Sequence, residues 1–383
     1  MKGLKLISVA ILLVGLAACG AGDNSSTPGF ITVDVNTAYP EKELILQDCM
    51  DVEYVVLETT DEFITHGLVK AIGQEVILVT NRLDGNIFIF DRSGKGIRKI
   101  NRLGQSGEEY SQTTEIILDE ENQEMFVTDY PARKILVYDL YGNFQRSFPF
   151  ADTGYYDFVF NYDRDCLILY KSYLPMDNEQ AGHLILSKQD GSLVREIPLP
   201  VKEIRTPKVI MEAEDVQVTP TFYLTVPSPD NWVLLNASSD TMYTYGPDHC
   251  LNPFIVRTPS IHSMDTEVFL FLQAVTDRYY FLQTLKKEFN LETMKGFPTT
   301  DLLYDKLENS IVSYTLYNAD FLNRKKVYWS KPVSHEILSW QTLDAFSLIE
   351  ANENGQLKGR LKEIAAELDE EDNPVIMLIK HRL

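Results

Sequence analysis

A ten-residue pattern occurs twice in this chain at a fixed separation, and it limits the fold more than any other feature. Asn86-Ile87-Phe88-Ile89-Phe90-Asp91-Arg92-Ser93-Gly94-Lys95 is echoed by Lys134-Ile135-Leu136-Val137-Tyr138-Asp139-Leu140-Tyr141-Gly142-Asn143. Ile87 and Ile135, Asp91 and Asp139, and Gly94 and Gly142 each stand 48 residues apart, so the register holds at apolar and turn positions alike. A short apolar run closed by Asp and Gly reads as a strand entering a tight turn. Repetition at this period marks one unit that cannot bury its own faces and must stack on its neighbours.

Strand-like runs surround both copies. Residues 55–57, 76–79, 87–90 and 97–100 form a first group of four, and residues 116–118, 125–127, 135–138 and 144–148 a second. The pattern drifts but persists. Residues 156–160, 166–170, 183–187 and 193–197, with the turn Asp190-Gly191, make a third group; residues 222–226, 232–235, 242–245 and 254–256 make a fourth. Residues 268–273, 279–285, 311–316 and 326–329 read as a fifth, with an insertion around 291–307. The expected fold is therefore all-β: a six-bladed β-propeller of four-stranded antiparallel blades.

The C-terminal part departs from this pattern. Leu343, Phe346 and Ile349 are spaced like one helix face, and Leu357, Leu361, Ile364 and Leu368 like another, with Gly355 between them. A helical hairpin over about 340–369 is expected, then a closing strand over 375–379. Joined to the N-terminal strand around 54–58, that strand completes a sixth blade and removes an open edge.

The N-terminus reads as an address. Lys2 and Lys5 precede an apolar run, which ends at Leu16-Ala17-Ala18-Cys19. The run is too short to span a bilayer, so residues 1–18 read as a signal peptide. They resemble the bacterial lipoprotein signal, which implies lipidation of Cys19, anchoring to the outer membrane and a place in the cell envelope, facing either the periplasm or the exterior. Residues 19–30 read as a flexible tether, and residues 31–383 as a single propeller domain.

The formal charge is −21, or −23 without residues 1–18, which carry two lysines and no acid. Such an acidic chain is repelled by nucleic acid and by anionic membrane surfaces. Cys49, Cys166 and Cys250 form no CxxC pair and permit at most one disulfide. Cys166 lies in an apolar run and is expected to be buried and inert.

Three stretches carry a family resemblance: Glu53-Tyr54-Val55-Val56-Leu57-Glu58-Thr59-Thr60, the loop Gly104-Gln105-Ser106-Gly107-Glu108-Glu109-Tyr110, and Asp372-Asn373-Pro374-Val375-Ile376-Met377-Leu378. Together they resemble the six-bladed β-propeller lipoproteins of Gram-negative gut-type bacteria, similar in shape to NHL-repeat propellers. The family loop runs close to Gly-x-Gly-Pro-Gly-Glu-Tyr; Glu109 and Tyr110 match it, while Ser106, Gly107 and Glu108 depart from it. The resemblance implies a fold and a location rather than a reaction.

It also implies a geometry. The loops between second and third strands, and those leading from one blade to the next, emerge on one face, where propellers commonly hold ligands. Arg82, Glu108, Glu109, Tyr110, Tyr130, Arg133, Lys171 and Tyr173 are then expected to share a rim suited to a glycan, a peptide or an envelope protein.

Catalytic signatures are sparse. Asp91, Asp119, Asp129 and Asp139 sit at strand ends and suit turn hydrogen bonding better than metal ligation. The six histidines show no paired zinc spacing, and there is no Gly-x-Ser-x-Gly elbow, P-loop or Gly-x-Gly-x-x-Gly. No cofactor is expected; scattered acids leave calcium open. The leading expectation is a non-catalytic binding protein, and the runner-up a propeller lactonase, lyase or glycosidase with a site in the central channel.

Overall fold

A computed structural model describes residues 30–382 except 82, 151–153, 173–180, 212–215 and 291. Cys19, the leader and all but the last residue of the tether lie outside the described residues, as do Arg82 and Tyr173.

The period-two alternation of the repeat explains how the units associate. In the strand Asn86–Asp91, Phe88 and Phe90 point to one side and Ile87 and Ile89 to the other. Phe88 and Phe90 join Ile77, Val79, Val55, Ile376 and Leu378 in one buried cluster. Ile87 and Ile89 join Ile116, Leu118, Met125 and Val127 of the next unit in another. Both phenylalanines are fully buried, which contributes about 2–3 kcal/mol each. Four further clusters repeat this arrangement between successive sheets, so six sheets and six inter-sheet cores close into a ring. The six-bladed propeller is the observed fold.

Blade 1 comprises Leu68–Ile72, Val76–Thr80, Asn86–Asp91 and Gly96–Asn101, paired in that order. Blade 2 comprises Glu115–Asp119, Glu124–Asp129, Lys134–Asp139 and Phe144–Pro149; blade 3 comprises Tyr155–Asn161, Cys166–Ser172, Gly182–Ser187 and Leu193–Ile197. Blades 4 and 5 each gain a fifth, parallel outer strand from the N-terminal segment: Ile31–Asp34 on Leu251–Thr258, and Glu41–Ile45 on Ser310–Tyr317. A short helix α1 (Leu46–Cys49) then turns the chain into blade 6.

Closure follows the expected route: Val375–Lys380 pairs with Ile337–Leu343 on one side and with N-terminal Asp51–Val56 on the other. Residues 55–57, read from sequence as the start of blade 1, thus finish blade 6, and Leu68–Ile72 opens blade 1 instead. Blade 6 has three regular strands. Its inner position is taken by an irregular segment, where Ser330 N donates to Ser339 Oγ (2.9 Å), Trp340 N to Ser330 Oγ (2.9 Å) and Gln341 Nε2 to the Tyr328 carbonyl (2.7 Å). Residues 326–329 form no regular strand: Lys326 bridges to Tyr317 and Val327 N donates to the Leu316 carbonyl (2.9 Å) at the end of the fourth strand of blade 5, and from Tyr328 onward the segment turns to blade 6. The third strand of blade 5 is Thr299–Asp305, within the expected insertion; its polar start, Thr-Thr-Asp, hides it.

The helical hairpin is present between the second and third strands of blade 6. In α2 (Ala345–Glu353) the buried residues are Ala345, Leu348 and Ala351, whereas Phe346 is exposed, so the expected face is rotated. Gly355 at φ +64° ends it, and α3 (Gly359–Ala365) buries Leu361 and Ile364 as expected.

The twin motif is architectural. Asp91 Oδ1 accepts from Ser93 N (2.8 Å) and Lys95 N (3.0 Å); Asp139 Oδ1 accepts from Tyr141 N (2.8 Å) and Asn143 N (2.9 Å). Gly94 and Gly142 adopt φ +91° and +84°, and a methyl group at either would overlap the preceding blade's outer strand, at the Val56 carbonyl and the Ile100 side chain. The 48-residue register extends to an arginine clamp between blades. Arg98 donates to the Leu140 carbonyl (2.8 Å), and Arg146 to the Lys188 carbonyl (3.0 Å).

Candidate functional site

Four residues of the expected rim, Glu109, Tyr110, Tyr130 and Arg133, are engaged with neighbouring chain. Tyr110 is fully buried; its hydroxyl donates to the Gly85 carbonyl (2.7 Å) and accepts from Arg102 N (2.9 Å), and its ring meets Tyr138 edge-on. Placing it on the rim is corrected accordingly: an aromatic side chain with partners for both polar roles is more stable inside. The Glu109 carboxylate folds back to accept from Ser106 N (2.9 Å), and this hydrogen bonding holds its pKa below the usual range. Glu108 is exposed, while its carbonyl accepts from the Tyr138 hydroxyl (2.7 Å). Asp129, fully buried, accepts from Ser111 N (2.6 Å), Ser111 Oγ (2.7 Å) and Ala132 N (3.1 Å).

Tyr130 and Arg133 are likewise engaged. The Tyr130 hydroxyl lies 2.7 Å from the Tyr156 carbonyl and 3.0 Å from Asp157 Oδ1; burial and then Asp157 push its phenol well above the ordinary range. Arg133 donates to the Gly154 carbonyl (2.9 Å) and lies over the rings of Phe150 and Tyr155. Lys171 is half-buried at the end of Cys166–Ser172.

The large cavity opens elsewhere. A channel of ≈ 750 Å³ runs along the inner strands of blades 1, 2 and 3 and ends among the short turns that follow them, at Gly73, Gln74, Glu75, Glu120, Glu121, Asp163 and Arg164. Its mouth is therefore on the face opposite the expected rim. Residues 331–336 form another wall and reach blade 4, where His335 Nδ1 lies 2.5 Å from the Ser228 carbonyl and its ring meets Trp232 edge-on at 4.7 Å. Val69, Val159, Phe160 and Trp340 supply apolar surface.

Charges are arranged by depth. Within the channel, Lys331 pairs with Glu115 at the start of the inner strand of blade 2, and Lys70 donates to the Thr114 carbonyl (2.9 Å). Lys331 lies 5.1 Å above the Phe160 ring. Its side chain is 34% exposed, and burial together with the Lys70 ammonium pushes its amine down to about 7. Burial also lowers Lys70. Farther out, Lys188 Nζ meets Asp119 at 2.7 Å in a buried pair, also donating to the Asp163 carbonyl (2.7 Å). The Glu120 carboxylate accepts from Gln74 N (2.6 Å), Glu75 N (2.9 Å) and Val76 N (2.9 Å), tying the turns of blades 1 and 2 together.

Among the described residues, no group of three or more His, Cys, Asp or Glu side chains converges to hold a metal ion. Asp91 and Asp139 serve turns, Asp119 an ion pair and Asp129 a loop. Cys49, Cys166 and Cys250 are all free thiols; Cys166 is half-buried rather than buried, with its pKa raised by desolvation and then Asp163. No described helix is long and apolar enough to cross a membrane.

Residues 22–335 match the model of a family described as a 6-bladed beta-propeller, DUF5128. The chain belongs to this family. No curated protein matches it. Among solved structures, the propeller is similar to a protein of Bacteroides fragilis described as exported, at 14% identity and TM-score 0.59, covering 93% of this chain and 100% of that one. A Bacteroides vulgatus protein of the DUF4221 family is similar at 10% identity and TM-score 0.45, covering 87% and 97%. A streptogramin B lyase is similar at 11% identity and TM-score 0.36, covering 71% and 93%. The likeness to the B. fragilis protein is one of fold.

Lys70, Glu115, Lys331, Phe160 and Trp340 escaped the sequence reading of this propeller. A signal was present: Lys70 and Glu115 are charged residues within or opening otherwise apolar inner strands, Leu-Val-Lys-Ala-Ile and Glu-Ile-Ile-Leu-Asp. In a propeller, an inner strand that exchanges an apolar position for a charge exposes that charge to the channel.

Proposed function

We propose that this protein is an exported, lipid-anchored propeller of the cell envelope that captures a small solute in its central channel without transforming it. One observation carries the reading: a channel of ≈ 750 Å³ combines aromatic and aliphatic walls with a few charged groups at depth, the ordinary make-up of a small-molecule site. The opposite face supports it by contrast, since Tyr110, Glu109, Asp129 and Tyr130 spend their polar groups on neighbouring backbone and side chains. The exported description of the B. fragilis relative and the Leu16-Ala17-Ala18-Cys19 motif support envelope placement.

A thermal-shift screen of organic acids, sugars and short peptides tests the channel. Trp340→Ala is expected to weaken any hit at least tenfold, while Arg133→Ala leaves it within twofold; the reverse order would refute the channel. Cys19→Ala is expected to move the protein from the membrane fraction to the soluble fraction, and retention at the membrane would refute the anchor.

A further inference from the structure

The inner end of the channel holds more positive than negative charge, in a protein whose overall charge is strongly negative. Lys70 and Lys331 both line it, and Glu115 is the carboxylate that pairs there with Lys331. Among the described residues, Lys70 makes no ion pair; its partner is a neutral carbonyl, that of Thr114. Two ammonium groups thus share one carboxylate in an enclosed site. A buried charge without a counter-charge is costly, and its pKa shifts toward the neutral form. Both lysines are shifted in that direction.

We infer that this end of the channel is an oxyanion site, in which Lys70 and Lys331 receive the acid group of a small organic solute whose apolar body lies along Phe160 and Trp340. The inference rests on the channel being the binding site and names the class of ligand. An entering carboxylate supplies the counter-charge that Lys70 lacks and completes two pairs from two lysines and two acids. The apolar walls and the volume favour an organic acid over bare phosphate or sulfate, which would leave most of the cavity unfilled. Glu75, Glu121 and Glu336 at the mouth oppose an anion. Their influence is screened by solvent over a Debye length of about 8–10 Å at physiological salt, whereas the enclosed lysines are screened much less.

Calorimetry at pH 6, below the value of about 7 to which Lys331 is lowered, tests this with four probes: 3-phenylpropionate, 3-phenylpropionamide, inorganic phosphate and sulfate. The acid is expected to bind at least about tenfold tighter than the amide, the scale of a hydrogen bond to a charged group. Lys70→Met is expected to abolish that preference and Lys70→Arg to retain it; Lys331→Met provides a second, independent loss. Thermal melts of each variant check folding, and the amide's own affinity serves as an internal control. Phosphate or sulfate binding tighter than the acid, with the same dependence on Lys70, would support the oxyanion site and assign it to an inorganic ion. Equal binding of acid and amide, lost in Trp340→Ala, would overturn the oxyanion inference and leave the channel reading standing. No binding by any of the four probes would overturn the inference, while hits of other chemistry that still depend on Trp340 would preserve the channel.

Discussion

The two faces of the ring differ in what their connections do. On one face, the loop of residues 102–114 is long and polar, and with the turn of residues 130–133 it looks from sequence like binding surface. Their polar groups are largely consumed: Tyr110 seals the loop from below, Asp129 ties Ser111 to Ala132, and Lys134 Nζ donates to the carbonyls of Gly107 (3.2 Å) and Glu109 (3.1 Å). On the other face the turns are short, and they surround the mouth of the channel. A long loop must satisfy many backbone groups of its own, whereas the turns on the other face stand around the open end of the channel along the inner strands. Apparent chemical richness in a loop thus does not mean that its polar groups are free to bind.

Substitutions can break this contrast, because it predicts lost stability on one face and lost binding on the other. The largest loop-face effect is expected from Asp129→Ala, which removes the acceptor of three hydrogen bonds at a fully buried site. Denaturant unfolding should show a loss of about 3 kcal/mol, with channel binding unchanged. A binding loss at preserved stability would reverse the assignment.

A comparable effect is expected from pH. His183, fully buried in blade 3, has Nε2 3.1 Å from the Leu224 carbonyl, and burial lowers its pKa from 6.5 to about 4. The folded state then holds the ring neutral while the unfolded chain takes up a proton. The contribution is fully present above pH 6.5 and is lost as pH falls toward 4, by about 3 kcal/mol in total. His183→Gln should flatten the stability curve in that window; an unchanged slope would exclude His183 as its source. The smallest of the three belongs to Tyr110→Phe, which leaves the Gly85 carbonyl without its donor and should cost about 1–2 kcal/mol.

Legibility followed the same division. The 48-residue repeat, the Asp and Gly turns and the closing strand were readable because apolar alternation and turn chemistry are local. The strand Leu68–Ile72 was missed because Lys70 interrupts its apolar run, and that interruption marks the channel. Phe346 departs from the expected helix face, since spacing alone does not say which side of α2 turns to the core. The site was least legible: Lys331 lies in an irregular segment with no periodicity, and its neighbours Lys70 and Glu115 come from two other blades. Residues brought together only by ring closure leave no spacing signature in the chain.

The most direct test of the two-face account is hydrogen–deuterium exchange with and without a hit from the thermal-shift screen. Protection is predicted in the turns after the inner strands, residues 73–75, 120–123 and 162–165, and in residues 331–336, with residues 104–110 and 130–134 unchanged. Protection confined to residues 104–110 and 130–134 would contradict it and return the binding site to the loop face.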